Sequence, residues 1–122
     1  LARQFTVHDA WGLGQYEAAQ FLNTLPADRP IYLWSDKNGI CQFLTGPRCV
    51  TGYRLDLDTT PLAYFVVSKR GVERNYVPRN KKTGEPLLDY SRLPELLSRA
   101  IWRLDIDGRP DNFIAVIPAG DY

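Results

Sequence analysis

Methionine is absent from the 122 residues, histidine occurs once and cysteine twice. One histidine, His8, leaves a nucleophile–histidine enzyme a single starting point, beside Asp9. A lone His next to an Asp at the start of a loop or helix is far more often structural. One His and two Cys are too few, and wrongly spaced, for a zinc centre. No apolar run approaches the ~18–20 residues of a membrane-spanning helix, and no membrane partner is expected. A chain that lacks Met and begins on Leu reads as a domain excised from a longer protein, so that part of its function lies elsewhere. The expected parent is a larger intracellular bacterial-type protein, and arginine outnumbering lysine eleven to four is consistent with a GC-rich genome.

The two cysteines, Cys41 and Cys49, flank a Gly46-Pro47 turn on what read as adjacent strands. That placement allows a disulfide. In a domain of this size two cysteines are more often buried thiols in a reducing compartment, so free thiols and a cytoplasmic location are expected.

Apolar content of 44% and charged content of 24% describe an ordinary globular chain, long enough to bury a core as one domain spanning 1–122. The stretch Arg29–Asp58 predicts three successive antiparallel strands. Asn38-Gly39 between two aromatic-rich runs is a strong hairpin signal, and a two-residue turn there pairs strand 31–36 with 40–45, Trp34 opposite Phe43. Tyr53–Leu57 alternates as a strand with one wet face. Leu62–Val67 is the most apolar run and reads as an interior strand. Val72–Val77 predicts a further strand, 79–86 a solvated loop, and Phe113–Ile117 a last strand.

Helical spacing of Ala18, Phe21, Leu22 and Leu25 predicts a helix over Gln15–Leu25, which Pro26 ends. Gly12 and Gly14 disfavour its earlier extension, and a lone G-x-G is weak as a phosphate motif. A second helix is predicted from Ser91, its N-cap, through Leu104, on the stripe Leu93, Leu96, Leu97, Ala100, Ile101 and Leu104. The fold expected is therefore α+β: an antiparallel meander of about five strands, with an N-terminal and a C-terminal helix packed on one side and the last strand joining the sheet.

Two carboxylate pairs invite a metal. Asp105, Asp107 and Gly108 open like a calcium loop, but Arg109 and Pro110 stand where further oxygen ligands belong. Asp56 and Asp58, with Lys69 on a later strand, match a metal-dependent nuclease or hydrolase only in part, because Val67 stands where another acid is needed. No metal or cofactor is expected, and an enzyme using Asp56, Asp58 and Lys69, or His8 and Asp9, is the alternative reading.

The main reading follows charge. Between Lys69 and Lys82 lie six basic residues (Lys69, Arg70, Arg74, Arg79, Lys81, Lys82) and one acid, Glu73, a local +5; the whole chain carries +1, so the remainder carries −4. With Tyr76 among the cations, the segment suits phosphate contacts and base stacking. The bland reading is a solvated segment whose charges guard a sheet edge. A non-catalytic interaction module is expected, contacting nucleic acid, another polyanion or an acidic protein surface through 69–82. Trp102, on the polar side of the expected second helix, is a candidate anchor for a protein partner or for other domains of the parent.

Overall fold

The structure is a computed structural model that describes residues 13–25, 30–105 and 113–119. His8, Asp9, the lead-in 1–7 and the turn 106–112 lie outside the described residues. The chain is a mixed α+β fold around a five-stranded sheet in the order β2-β1-β4-β7-β6. The strands are β1 (Tyr32–Ser35), β2 (Arg48–Cys49), β4 (Leu62–Ser68), β6 (Trp102–Asp105) and β7 (Phe113–Pro118). A separate two-stranded sheet joins β3 (Arg54–Leu55) to β5 (Arg79–Asn80).

β4 is the centre, and its residues explain why. Its apolar run buries both faces: Phe65 and Val67 point into one cluster with Trp34, Phe113, Ala115 and Ile117, while Val66 points into another with Leu33, Ile114 and Val116. Helix α1 (Leu13–Asn23) covers the second cluster with Ala18, Ala19 and Leu22, all fully buried. Helix α3 (Leu93–Ser98) covers the first, through Leu93, Leu96 and Leu97, together with Leu55 and Leu88. The two helices therefore lie on opposite faces of the sheet, not on one side.

The sheet is mixed, and the expected antiparallel meander is corrected. β1 runs parallel to both β2 and β4; only the β4–β7 and β6–β7 pairs are antiparallel. The hairpin 31–36/40–45 does not form, and Trp34 and Phe43 do not meet across strands. Asn38–Phe43 is instead a 3-10 helix within the crossover to β2, since parallel neighbours need a connection of about a dozen residues. Gly39 does not adopt a positive φ, and a Cβ there would need only the end of the Gln15 side chain to shift. Ser35 starts the turn by accepting the Lys37 amide at 3.0 Å.

Three further expectations change. Val72–Val77 is not a strand: Ser68 caps helix α2 (Lys69–Glu73) by accepting from the Gly71 amide, and Asn75, at φ 56, follows the C-cap Arg74 in the left-handed region that Asn tolerates. The second helix is shorter than its apolar stripe. Asp89 caps a 3-10 turn over Tyr90–Arg92, α3 ends at Ser98, and Trp102–Asp105 pairs with β7. Trp102 and Leu104, alternating with Arg103 and Asp105, carry a strand period that a helical reading overlooks. Tyr53–Leu57 contributes only the two residues of β3, in the separate sheet.

The free-thiol expectation is also overturned: Cys41 and Cys49 form a disulfide, with Cα atoms 5.8 Å apart. It ties the 3-10 helix to edge strand β2. Asn23 secures the same loop to α1, its side chain donating to the Phe43 carbonyl at 3.0 Å and accepting the Thr45 amide at 2.9 Å. A bridge closing so short a loop contributes about 2–3 kcal/mol. Replacing both cysteines by Ser lowers unfolding free energy by that amount in urea titrations, and the denatured, unreduced wild type yields no titratable thiol.

Candidate functional site

The basic segment does not form one loop standing off the sheet. Lys69 and Arg70 lie on α2, Arg74 is its C-cap, Arg79 is on β5, and Lys81 and Lys82 follow in a turn. Several of the cations are engaged. Lys69 pairs with Glu73 at 3.7 Å, and Lys82 pairs with Asp58, which raises the lysine's pKa. Arg79 donates to the Gly84 carbonyl at 2.9 Å, and Arg74 reaches the Tyr76 hydroxyl at 3.4 Å. Arg70 and Lys81 are exposed.

The two-stranded sheet brings in a residue that charge counting along the chain missed. Arg54 stands in register with Arg79 on the parallel partner, and the next pair is Leu55 with Asn80. Leu55 is 1% exposed and points into the core. By alternation Arg54 and Arg79 therefore both point outward, and both are exposed. Registered neighbours on adjacent strands lie ~4.8 Å apart, so two like charges are carried from adjacent backbone positions. Beside them Tyr53 and Tyr76 rings contact at 6.0 Å, and Tyr53 also meets Trp34 edge-on at 6.1 Å. Tyr53 is half exposed. Backbone bonds from Arg79 to the Tyr53 carbonyl (2.8 Å) and from Lys81 to the Leu55 carbonyl (2.9 Å) hold the ridge in place.

The acids proposed for a metal serve a turn. Asp56 accepts the Asp58 amide at 3.1 Å, its carbonyl takes the Thr60 hydroxyl at 2.8 Å, and Asp58 is occupied by Lys82. Lys69 faces Glu73 instead of these acids. Among the described residues no three His, Cys, Asp or Glu side chains gather as a metal site. Trp102 stacks on Phe21 of α1, centroids 5.9 Å apart and planes 19° apart, so much of its ring is used inside the chain. A cavity of about 280 Å³ beside α3 is floored by Phe65, Leu96 and Ile117, but its charged lining of Asp89, Arg92, Glu95 and Arg99 balances in sign.

Among the described residues the acid moved furthest from its ordinary pKa is Asp36, which sequence reasoning does not single out. It follows β1, beside the end of the parallel strand β4, and its Oδ2 accepts the Ser68 amide at 2.7 Å and the Ser68 hydroxyl at 3.1 Å. Its Oδ1 is enclosed without a partner. Burial pushes its pKa up to about 6 despite those bonds and Lys37. Nearby Tyr90, donating to the Tyr76 carbonyl at 2.7 Å, is also raised, by burial and then by the Asp36 charge.

No protein-family model matches the chain, and no curated protein or solved structure matches it.

Asp36 has a definite linkage sign. Its folded pKa of about 6 lies well above the ordinary aspartate value, so the folded state binds the proton more tightly. The stability from this group is full below about pH 4 and is lost as pH rises through 6. Relative to Asp36→Asn, wild-type unfolding free energy should fall by about 2 kcal/mol between pH 4 and pH 7. Parallel pH profiles in denaturant titrations of the two proteins would contradict this.

Proposed function

We propose that this chain is a non-catalytic binding module for a polyanion, which it engages through a ridge of Arg54, Arg79 and Lys81 flanked by Tyr53, Tyr76 and Arg74. The observation that carries the reading is the registered, outward-facing pair Arg54 and Arg79. Like charges side by side on adjacent strands are unfavourable unless something negative lies across them. Guanidiniums offer planar, bidentate donors to phosphate or sulfate, and the half-exposed Tyr53 ring adds a stacking surface. Lys69 and Lys82, each paired with an acid, contribute less than their charge suggests.

The disulfide favours an oxidising compartment over the expected cytoplasm. With it, a sulfated or phosphorylated glycan gains on nucleic acid as the natural ligand. Among the described residues no helix is long and apolar enough to cross a membrane. The hydrolase or nuclease reading through Asp56, Asp58 and Lys69 loses support, because those groups are spent on a turn and on separate ion pairs. Trp102 as a protein anchor is weakened likewise by its stack on Phe21.

Anisotropy titrations with a labelled single-stranded oligonucleotide and a labelled sulfated polysaccharide, each at about 50 and 200 mM salt, test the module. Micromolar or weaker affinity with a steep salt dependence is expected, and the double variant Arg54→Ala/Arg79→Ala should lower the oligonucleotide's salt slope by roughly 1.5 units. A folded double variant that binds both probes as wild type does removes the ridge from consideration.

A further inference from the structure

The segment carrying two of the residues that flank that ridge, Arg74 and Tyr76, is held by an unusual tie. Helix α2 has five residues, too few to persist alone. Two polar contacts fix it and the residues that follow. At its start, Asp36 Oδ2 accepts both the amide and the hydroxyl of Ser68, whose oxygen in turn accepts the Gly71 amide at 3.2 Å. Beyond its end, the Tyr90 hydroxyl holds the Tyr76 carbonyl. Gly71 sits so close to Asp36 that a Cβ there would collide with the carboxylate. The tie thus joins the ends of β1 and β4 to α2, with one carboxyl oxygen sealed in and unsatisfied. An enclosed carboxylate oxygen with no donor is costly when ionised and much less so when it carries a proton.

We propose that the Asp36–Ser68 contact is a proton-operated latch: protonated, it holds α2 and Tyr76 in place, and ionised, it lets the segment Ser68–Tyr76 open. The proton sits on Oδ1, the oxygen without a partner, so both bonds to Oδ2 survive its arrival. On ionisation the sealed oxygen gains full charge, and opening the segment returns it to water. The groups acting on Asp36 are few. Lys37 on its own loop and Asp36's own backbone amide favour the charged form. The Tyr90 hydroxyl faces it from the 3-10 turn, Ser68 donates from β4, and on α2 Lys69 and Glu73 pair with each other while Arg70 is exposed. Because Arg74 and Tyr76 ride on the segment, the latch regulates the polyanion ridge. That consequence rests on the binding reading above, and it makes binding weaker at neutral than at mildly acidic pH.

Hydrogen exchange on the full chain, without ligand, tests the latch. A carboxyl that moves from about 6 when closed to an ordinary value when open raises the opening constant of Ser68–Tyr76 roughly fiftyfold between pH 4 and pH 7, after correction for intrinsic exchange. Amides of β7 should show no such rise. Asp36→Asn should flatten the dependence in Ser68–Tyr76. If that variant does not fold, a carbon-13 titration of the Asp36 carboxyl in wild type decides: a midpoint near 6 supports the latch, and one near 4 overturns it. Opening constants that do not change with pH, or that change equally in Asp36→Asn, also overturn it. The oligonucleotide and polysaccharide titrations repeated at pH 5.5 and 7.5 separate the two ideas. Exchange that responds to pH with no binding at either pH removes the ridge and supports the latch; binding with flat exchange does the reverse.

Discussion

Strand β4 is the constraint on which the other elements depend. Leu62–Ser68 pairs in parallel with β1 along one edge and antiparallel with β7 along the other, and residues from Phe65 to Ser68 are buried. A strand sealed on both faces must find cover on both sides, and the chain supplies α1 for one and α3 with the small sheet for the other. Each buried Leu, Val or Phe side chain contributes roughly 1.5–3 kcal/mol of transfer free energy. Placing apolar clusters on both sides of one sheet is what allows short elements, among them a five-residue helix and two-residue strands, to hold position.

That dependence explains which parts of the fold are legible in the sequence. Leu62–Val67 and Phe113–Ile117 are read correctly because apolar runs that long have few alternatives; the first helix follows the spacing of Ala18 and Leu22 but runs Leu13–Asn23, through Gly14 and short of Leu25. Strand partners are harder. Asn38-Gly39 carries a local turn signal, but the competing pair is non-local: β1 bonds to β4, some thirty residues on, leaving 36–47 to serve as a crossover. Where helix and strand periods overlap, as at Ile101–Leu104, the free edge of β7 decides, and no local residue announces that edge.

The candidate site follows the same logic. The basic residues 69–82 are plain in the sequence, yet their grouping is not. Arg54 joins Arg79 only because Leu55 anchors a two-residue strand in the core beside β5. Lys82 meets Asp58 across the same connection. A charge count of +5 along one segment therefore overstates what the surface offers a ligand on some residues and omits Arg54 altogether. The cysteines illustrate a related point: their spacing is compatible with a bridge, compartment statistics favour thiols, and the fold brings Cys41 and Cys49 together as a disulfide.

Asp36 stands apart from these cases, because its position has a cost that packing alone does not require. A carboxylate at the ends of two parallel strands, with one oxygen sealed and unpaired, destabilises the folded state at neutral pH, where Asn would retain an acceptor for Ser68 without the charge. Strongly perturbed ionisable groups gather where a protein does something with them. Here the group lies at the N-cap of the segment that carries Arg74 and Tyr76, whereas Arg54 and Arg79 are anchored by a separate sheet. The exposed arginines of the small sheet are thus fixed, while the neighbouring Arg74 and Tyr76 are tied through one ionisable contact and can move without disturbing them.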